Sequence, residues 1–157
     1  MSGHRVETSR VIAVEPVDAF DRLMGVRLQD VFVRRYAAFP SVAEVIDGPN
    51  DWGAVGQTRT IVLADGSRMR ETLTSVDRPH SFAYVLDEIG GPLRQFVKTI
   101  DGEWTIAPQG DHARIGWAWT FHTKAVPALL TTRVLGRMWK GYADRALIEL
   151  ETLLTRD

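Results

Sequence analysis

The chain contains no cysteine among its 157 residues. Disulfides and thiolate chemistry are therefore excluded, and redox arguments say nothing about compartment. Charge of one sign is also missing: 19 Lys and Arg offset 20 Asp and Glu, for a net charge of −1. A nucleic acid or an anionic membrane would select a basic surplus, so neither is implied as a partner. Arg34-Arg35 is the one basic doublet and reads as a solvated helix face. No apolar run approaches the ~20 residues of a membrane span. The first ten residues, Met-Ser-Gly-His-Arg-Val-Glu-Thr-Ser-Arg, hold no apolar core of signal-peptide length. The expectation is a cytoplasmic protein without stable membrane insertion. His4, His80, His112 and His122 are scattered, with no metal-ligand spacing among them. Nucleophile elbows, phosphate-binding loops and dinucleotide fingerprints are absent too, so no cofactor is expected.

What remains is an ordinary globular composition, 45% hydrophobic and 25% charged. A chain of this length suits one domain and can bury roughly 68–70% of its unfolded surface. There is no internal repeat, low-complexity tract or linker, so residues 1–157 are read as one domain. Residues 4–14 alternate and form a first strand. Pro16 opens a short helix with Val17, Phe20, Leu23 and Met24 on one face, and Gly25 stops it. A second helical stretch, 28–38, carries Leu28, Val31, Phe32 and Tyr36. Val42 to Ile46 is a short strand. Strands then follow over about 54–63, 67–76, 80–88, 94–107 and 112–122, broken by turn clusters short enough to require an antiparallel meander. Residues 126–155 form one long helix whose stripe runs Leu135, Met138, Trp139, Tyr142, Ala146, Leu150 and Leu153. The basic residues beside that stripe also suit an interfacial membrane helix, but the same composition is expected of a helix lying across a sheet.

The most telling stretch is 52–79. Ala64-Asp65-Gly66 suits a three-residue hairpin loop, a type I turn closed by a bulge with Gly66 at φ > 0. That loop pairs Leu63 with Ser67 and, counting back, sets Arg59 opposite Glu71, on one face with Ile61, Leu63, Met69 and Leu73. A two-residue loop would slip the register and send the two charges to opposite faces.

The order strand, two short helices, six strands and long helix resembles the START-like or SRPBCC superfamily. That superfamily has a helix-grip fold and includes the major birch-pollen allergen and the polyketide cyclase/dehydrase and lipid-transport proteins. The local carriers are Val14-Glu-Pro-Val-Asp-Ala-Phe-Asp-Arg-Leu23, Val55-Gly-Gln-Thr-Arg-Thr-Ile-Val-Leu-Ala-Asp-Gly66, Glu71 followed by Val76-Asp-Arg-Pro79, and Gly116-Trp-Ala-Trp119. The resemblance implies an α+β fold in which a curved antiparallel sheet of about seven strands wraps the last helix. It also implies a deep cavity between them for a small hydrophobic molecule. It fixes no single activity, because the superfamily hosts carriers, receptors and enzymes.

Alternation then assigns the lumen face. Ala113, Ile115, Trp117, Trp119 and Phe121 share one face, as do Phe96, Ile100, Trp104 and Ile106, and Phe82, Tyr84 and Leu86. The expected ligand-binding residues are Arg59, Glu71, Tyr84, Trp104, Trp117, Trp119 and Tyr142. The competing reading is a plain packed core with a structural ion pair. The leading function is binding of an aromatic, polycyclic or lipid-like molecule. The alternative is a polyketide cyclase/dehydratase-like enzyme with Glu71 as general acid or base and Arg59 polarising a carbonyl. Burial should raise the Glu71 carboxyl and Arg59 should lower it, and the attraction is expected to win. Gly90-Gly91-Pro92 reads as a turn, with a gate at the cavity mouth as the other option. A homodimer is left open.

Overall fold

The computed structural model describes residues 3–36, 39–124 and 128–156, with side chains described from Arg133 onward in the last segment. The chain runs β1 (His4–Ile12), α1 (Pro16–Met24), α2 (Leu28–Val31), β2 (Val42–Ile46), β3 (Thr58–Leu63), β4 (Arg68–Asp77) and β5 (Ser81–Asp87). A 3₁₀ turn over Pro92–Gln95 leads to β6 (Val97–Gln109), β7 (His112–Thr123) and α3 (Ala128–Leu154). The strands form one antiparallel seven-stranded sheet in the order β1-β7-β6-β5-β4-β3-β2. Only β1 reaches its neighbour through a long connection. The rest is a meander, as the short turns require. This is the helix-grip arrangement, with α3 packed on β1, β7, α1 and α2.

Alternation makes the strands two-faced. On β7, Ala113, Ile115, Trp117, Trp119 and Phe121 are all buried, and on β5 so are Phe82, Tyr84 and Leu86. From α3, Leu135, Trp139, Tyr142, Ala143, Ala146, Leu147, Leu150 and Leu154 close the core. Their recurrence at three and four residues is the apolar stripe that lays a helix on a sheet.

Three expectations need correction. The helix expected over 28–38 stops at Val31. The Phe32 N–H caps the Leu28 carbonyl, and the Phe32 carbonyl accepts from Val42 N–H at 2.9 Å. One turn of helix is too short to hold itself, and the backbone beyond it bonds across the loop instead, Phe32 to Val42 and Tyr36 to Phe39. β3 begins at Thr58 rather than 54, because Gln57 stitches the preceding loop: its Oε1 accepts from the N–H of Gly53 and of Ala54 at 2.7 and 2.9 Å. Phe96, expected inside, is 44% exposed. Phe96 caps the 3₁₀ turn, its N–H donating to the Leu93 carbonyl, and a register shift between Val97 and Thr99 buries Val97 instead. The last helix is described from Ala128 to Leu154; residues 126 and 127 lie outside the described residues.

Candidate functional site

The β3–β4 hairpin has the three-residue loop. Leu63 N–H donates to Ser67 O and Gly66 N–H to Leu63 O, each at 2.9 Å, and Gly66 sits at φ 86°. Asp65 Oδ1 accepts from both the N–H and the hydroxyl of Ser67, which holds the Asp65 carboxyl below its usual value. The register that follows pairs Arg59 with Glu71 and Ile61 with Met69. Arg59 Nε donates to Glu71 Oε1 at 2.6 Å, with the two side chains only 13% and 6% exposed. The guanidinium makes no other hydrogen bond among the described residues, so its Nη groups keep their donors unspent. Trp52, from the loop stitched by Gln57, lays its ring 4.0 Å from Arg59 Cζ.

These groups stand on the wall of a pocket over β3 to β7, roofed by α1, α2 and Phe39. Its free volume is about 90 Å³. A depression on the outer face, rimmed by Arg5, Glu7, Glu103 and Arg114, offers more such space, about 310 Å³. Its polar groups are already engaged with one another, Arg5 with Glu7 and Glu103 and Arg114 with Ser9 and Gln109, so the smaller aromatic pocket is the chemically distinct one. Of α3, only Tyr142 reaches the pocket among the described residues.

The pocket floor is aromatic. Trp104 and Trp117 stack at 4.9 Å and 7°, and Trp119 meets Trp117 edge-on at 5.5 Å. Phe32 stacks on Tyr142 at 5.4 Å, which fixes the roof. The Tyr142 hydroxyl donates to the Pro40 carbonyl at 3.0 Å. The Tyr84 hydroxyl accepts from Trp117 Nε1 at 2.8 Å and from Trp119 Nε1 at 2.9 Å. Burial pushes both phenols well above their usual range; for Tyr84 the Glu71 charge adds to the rise.

Glu71 departs from expectation. Burial pushes its carboxyl above the ordinary value, and the charge and hydrogen bond of Arg59 offset only part of that. The arginine meets a single carboxylate oxygen through Nε, so the pair lacks the two-pronged geometry that repays desolvation best.

Arg59, Glu71, Tyr84, Trp104, Trp117, Trp119 and Tyr142 thus all line one pocket. Phe32, Phe39 and Trp52 line it as well and were not expected there. Trp52, a large aromatic inside a turn cluster, was the available signal; Phe32 and Phe39 had none, because their positions depend on the loop between α2 and β2. Gly90 and Pro92 sit at the pocket edge, where Gly90 N–H donates to Arg68 O at 2.8 Å. His80 and His112 are exposed. His122 faces away from the pocket and meets Asp101 at 2.7 Å.

The fold has close relatives in shape. Ara h 8.0201 superposes with a TM-score of 0.70 at 16% identity, covering 97% of this chain and 97% of that one. The ginseng major latex-like protein 151 from Panax ginseng gives 0.67 at 16% identity, covering 99% and 100%. The di-domain ARO/CYC StfQ from the steffimycin biosynthetic pathway gives 0.70 at 16% identity; 98% of this chain is covered but only 51% of that one. At such identities the likeness speaks for the fold alone. No curated protein matches the sequence. The family model described as polyketide cyclase / dehydrase and lipid transport matches residues 3–155, and the chain belongs to that family.

Proposed function

We propose that this protein binds a small, flat hydrophobic molecule bearing oxygen substituents, with residues 1–157 acting as one ligand-binding domain. One observation carries the reading: a buried Arg59–Glu71 pair, with guanidinium donors unspent, on the wall of an otherwise apolar aromatic pocket. A packed core has no use for such a pair, because two desolvated charges rarely stabilise a fold better than apolar side chains of like volume. Apolar lining with a few convergent polar groups is the usual make-up of a small-molecule site. The stacked Trp104 and Trp117 suit a ring, and Arg59 suits a carbonyl, phenolate or carboxylate oxygen. The family, which joins cyclases, dehydrases and lipid carriers, supports a hydrophobic ligand in general terms.

Native mass spectrometry of freshly purified protein, with titration by 8-anilinonaphthalene-1-sulfonate, tests the reading. The expected result is a co-purified or captured aromatic molecule and a saturable shift in tryptophan emission. Protein that emerges empty and whose emission ignores the probe is simply a packed core.

A second reading, an enzyme, is favoured by the raised carboxyl of Glu71 beside Arg59. A base of raised pKa could remove an α-proton from a ketone while Arg59 stabilises the enolate oxygen. Deuterium exchange into benzoylacetone, followed in D₂O, separates the two. Exchange above the buffer rate that vanishes in Glu71→Gln marks an enzyme; binding without exchange marks a carrier.

A further inference from the structure

The Tyr84 hydroxyl is placed with unusual care for a core residue. It lies 94% buried on the pocket wall, and both of its lone pairs are occupied by the indole N–H groups of Trp117 and Trp119 (its relative exposure is 6%). Its own proton has no acceptor among the described residues. Gly102, the residue opposite Tyr84 on β6, makes this possible. A Cβ at that position would overlap Cζ, Cε2 and the hydroxyl of the tyrosine. Only a bare backbone lets the ring lie across β6 and reach the two indoles on β7. Buried hydroxyls normally spend their proton, so an unspent one on a pocket wall points to a ligand.

We propose that Tyr84 is the pocket's specificity-determining donor, a hydroxyl fixed by Trp117 and Trp119 so that it can only donate, and that it selects ring ligands carrying a carbonyl or comparable acceptor oxygen over hydrocarbons of the same outline. The proposal rests on the ligand-binding reading above and deepens it. Accepting two N–H bonds polarises the O–H and strengthens its donation. Because no lone pair remains, a ligand offering only a donor gains nothing there. Tyr84 also stands apart from Arg59: it lies on β5, opposite Leu73, whereas Arg59 lies on β3, opposite Glu71. The pocket can therefore read two separated oxygens, one at each of these points.

Fluorenone and fluorene, a ketone and a hydrocarbon of nearly equal outline, form the test pair. Wild-type protein should bind fluorenone about tenfold more tightly, the size of one net hydrogen bond. Tyr84→Phe should bring the two affinities within about twofold of each other. An undiminished preference in Tyr84→Phe overturns the proposal. That variant strands two indole N–H groups, so a measurement on the unmutated tyrosine stands beside it. In protein labelled with carbon-13 at tyrosine Cζ, fluorenone should move one resonance that fluorene leaves alone. The moving resonance should persist in Tyr36→Phe and in Tyr142→Phe. A Tyr84 signal indifferent to the ketone overturns the assignment. Equal binding of both probes sinks Tyr84 alone; binding of neither sinks the pocket reading with it.

Discussion

Arg59 and Glu71 concentrate the energetic tension of this molecule. The pair is buried, singly hydrogen-bonded and close to apolar neighbours. Removing one partner leaves the other charge stranded, so Arg59→Met should cost about 3–5 kcal/mol in urea melts. Arg59→Met with Glu71→Gln should cost much less. Additive single effects under about 0.5 kcal/mol would mean that the two groups do not interact. Glu71 also gives a signed pH dependence. Its folded carboxyl holds its proton more tightly than in the unfolded chain, so its contribution to stability is complete below the ordinary carboxylate pKa. That contribution is lost as pH rises through the raised value. Asp21 and Asp65 act in the opposite sense, because arginine and serine partners lower theirs and their stabilisation fades in acid. The stability difference between wild type and Glu71→Gln isolates Glu71 and should move against the wild type as pH rises from the acid side. A difference that stays flat with pH would show an unperturbed carboxyl. At Gly102, replacement by Ala should displace the Tyr84 ring, reduce stability and erase the ketone preference together.

At the scale of elements, the β3–β4 hairpin sets the site. Its loop length decides on which face Arg59 and Glu71 fall. Deleting Ser67 while keeping the three-residue loop Ala64-Asp65-Gly66 should bring Arg68 opposite Leu63 and Thr72 opposite Arg59, slipping the register by one. One charge would then leave the pocket, and probe binding, read by tryptophan emission, should be lost even in protein that keeps its far-ultraviolet dichroism. The other decisive element is α3, whose inner face is continuous from Leu135 to Leu154. Leu150, fully buried, should cost about 2–5 kcal/mol when cut to Ala. That loss should appear in melts without altering the choice between fluorenone and fluorene, since Leu150 does not line the pocket.

On the scale of the whole molecule, the pocket is a gap left where the sheet, α1, α2 and the loop to β2 do not quite close. The helix-grip expectation placed that gap between sheet and C-terminal helix. Among the described residues its roof is instead mostly α1, α2 and Phe39, with Tyr142 as the contribution of α3. A ligand held there bridges elements far apart in sequence and should stabilise the fold as one unit. At a hundredfold excess over its Kd, a bound probe should add about 2.7 kcal/mol, visible as a rise of several degrees in the melting temperature. A probe that binds without raising the melting temperature would have to be sitting elsewhere or on the unfolded chain.

Much of this was legible in the sequence, for a definite reason. Period-two alternation on β5 and β7 depends only on neighbouring residues, so the inward faces of Tyr84, Trp117 and Trp119 could be read directly. Loop chemistry at Asp65-Gly66 is likewise local, and it carried the Arg59–Glu71 register with it. What could not be read depends on contacts between distant segments. The bulge that turns Phe96 outward, the early end of α2, and the meeting of Phe32 with Tyr142 arise from pairings across the chain. The balance at Glu71 belongs to the same class. A sequence shows that an arginine stands opposite, but desolvation is the sum over every side chain packed around the carboxyl. Only the tertiary structure supplies that sum, and here it outweighs the partner.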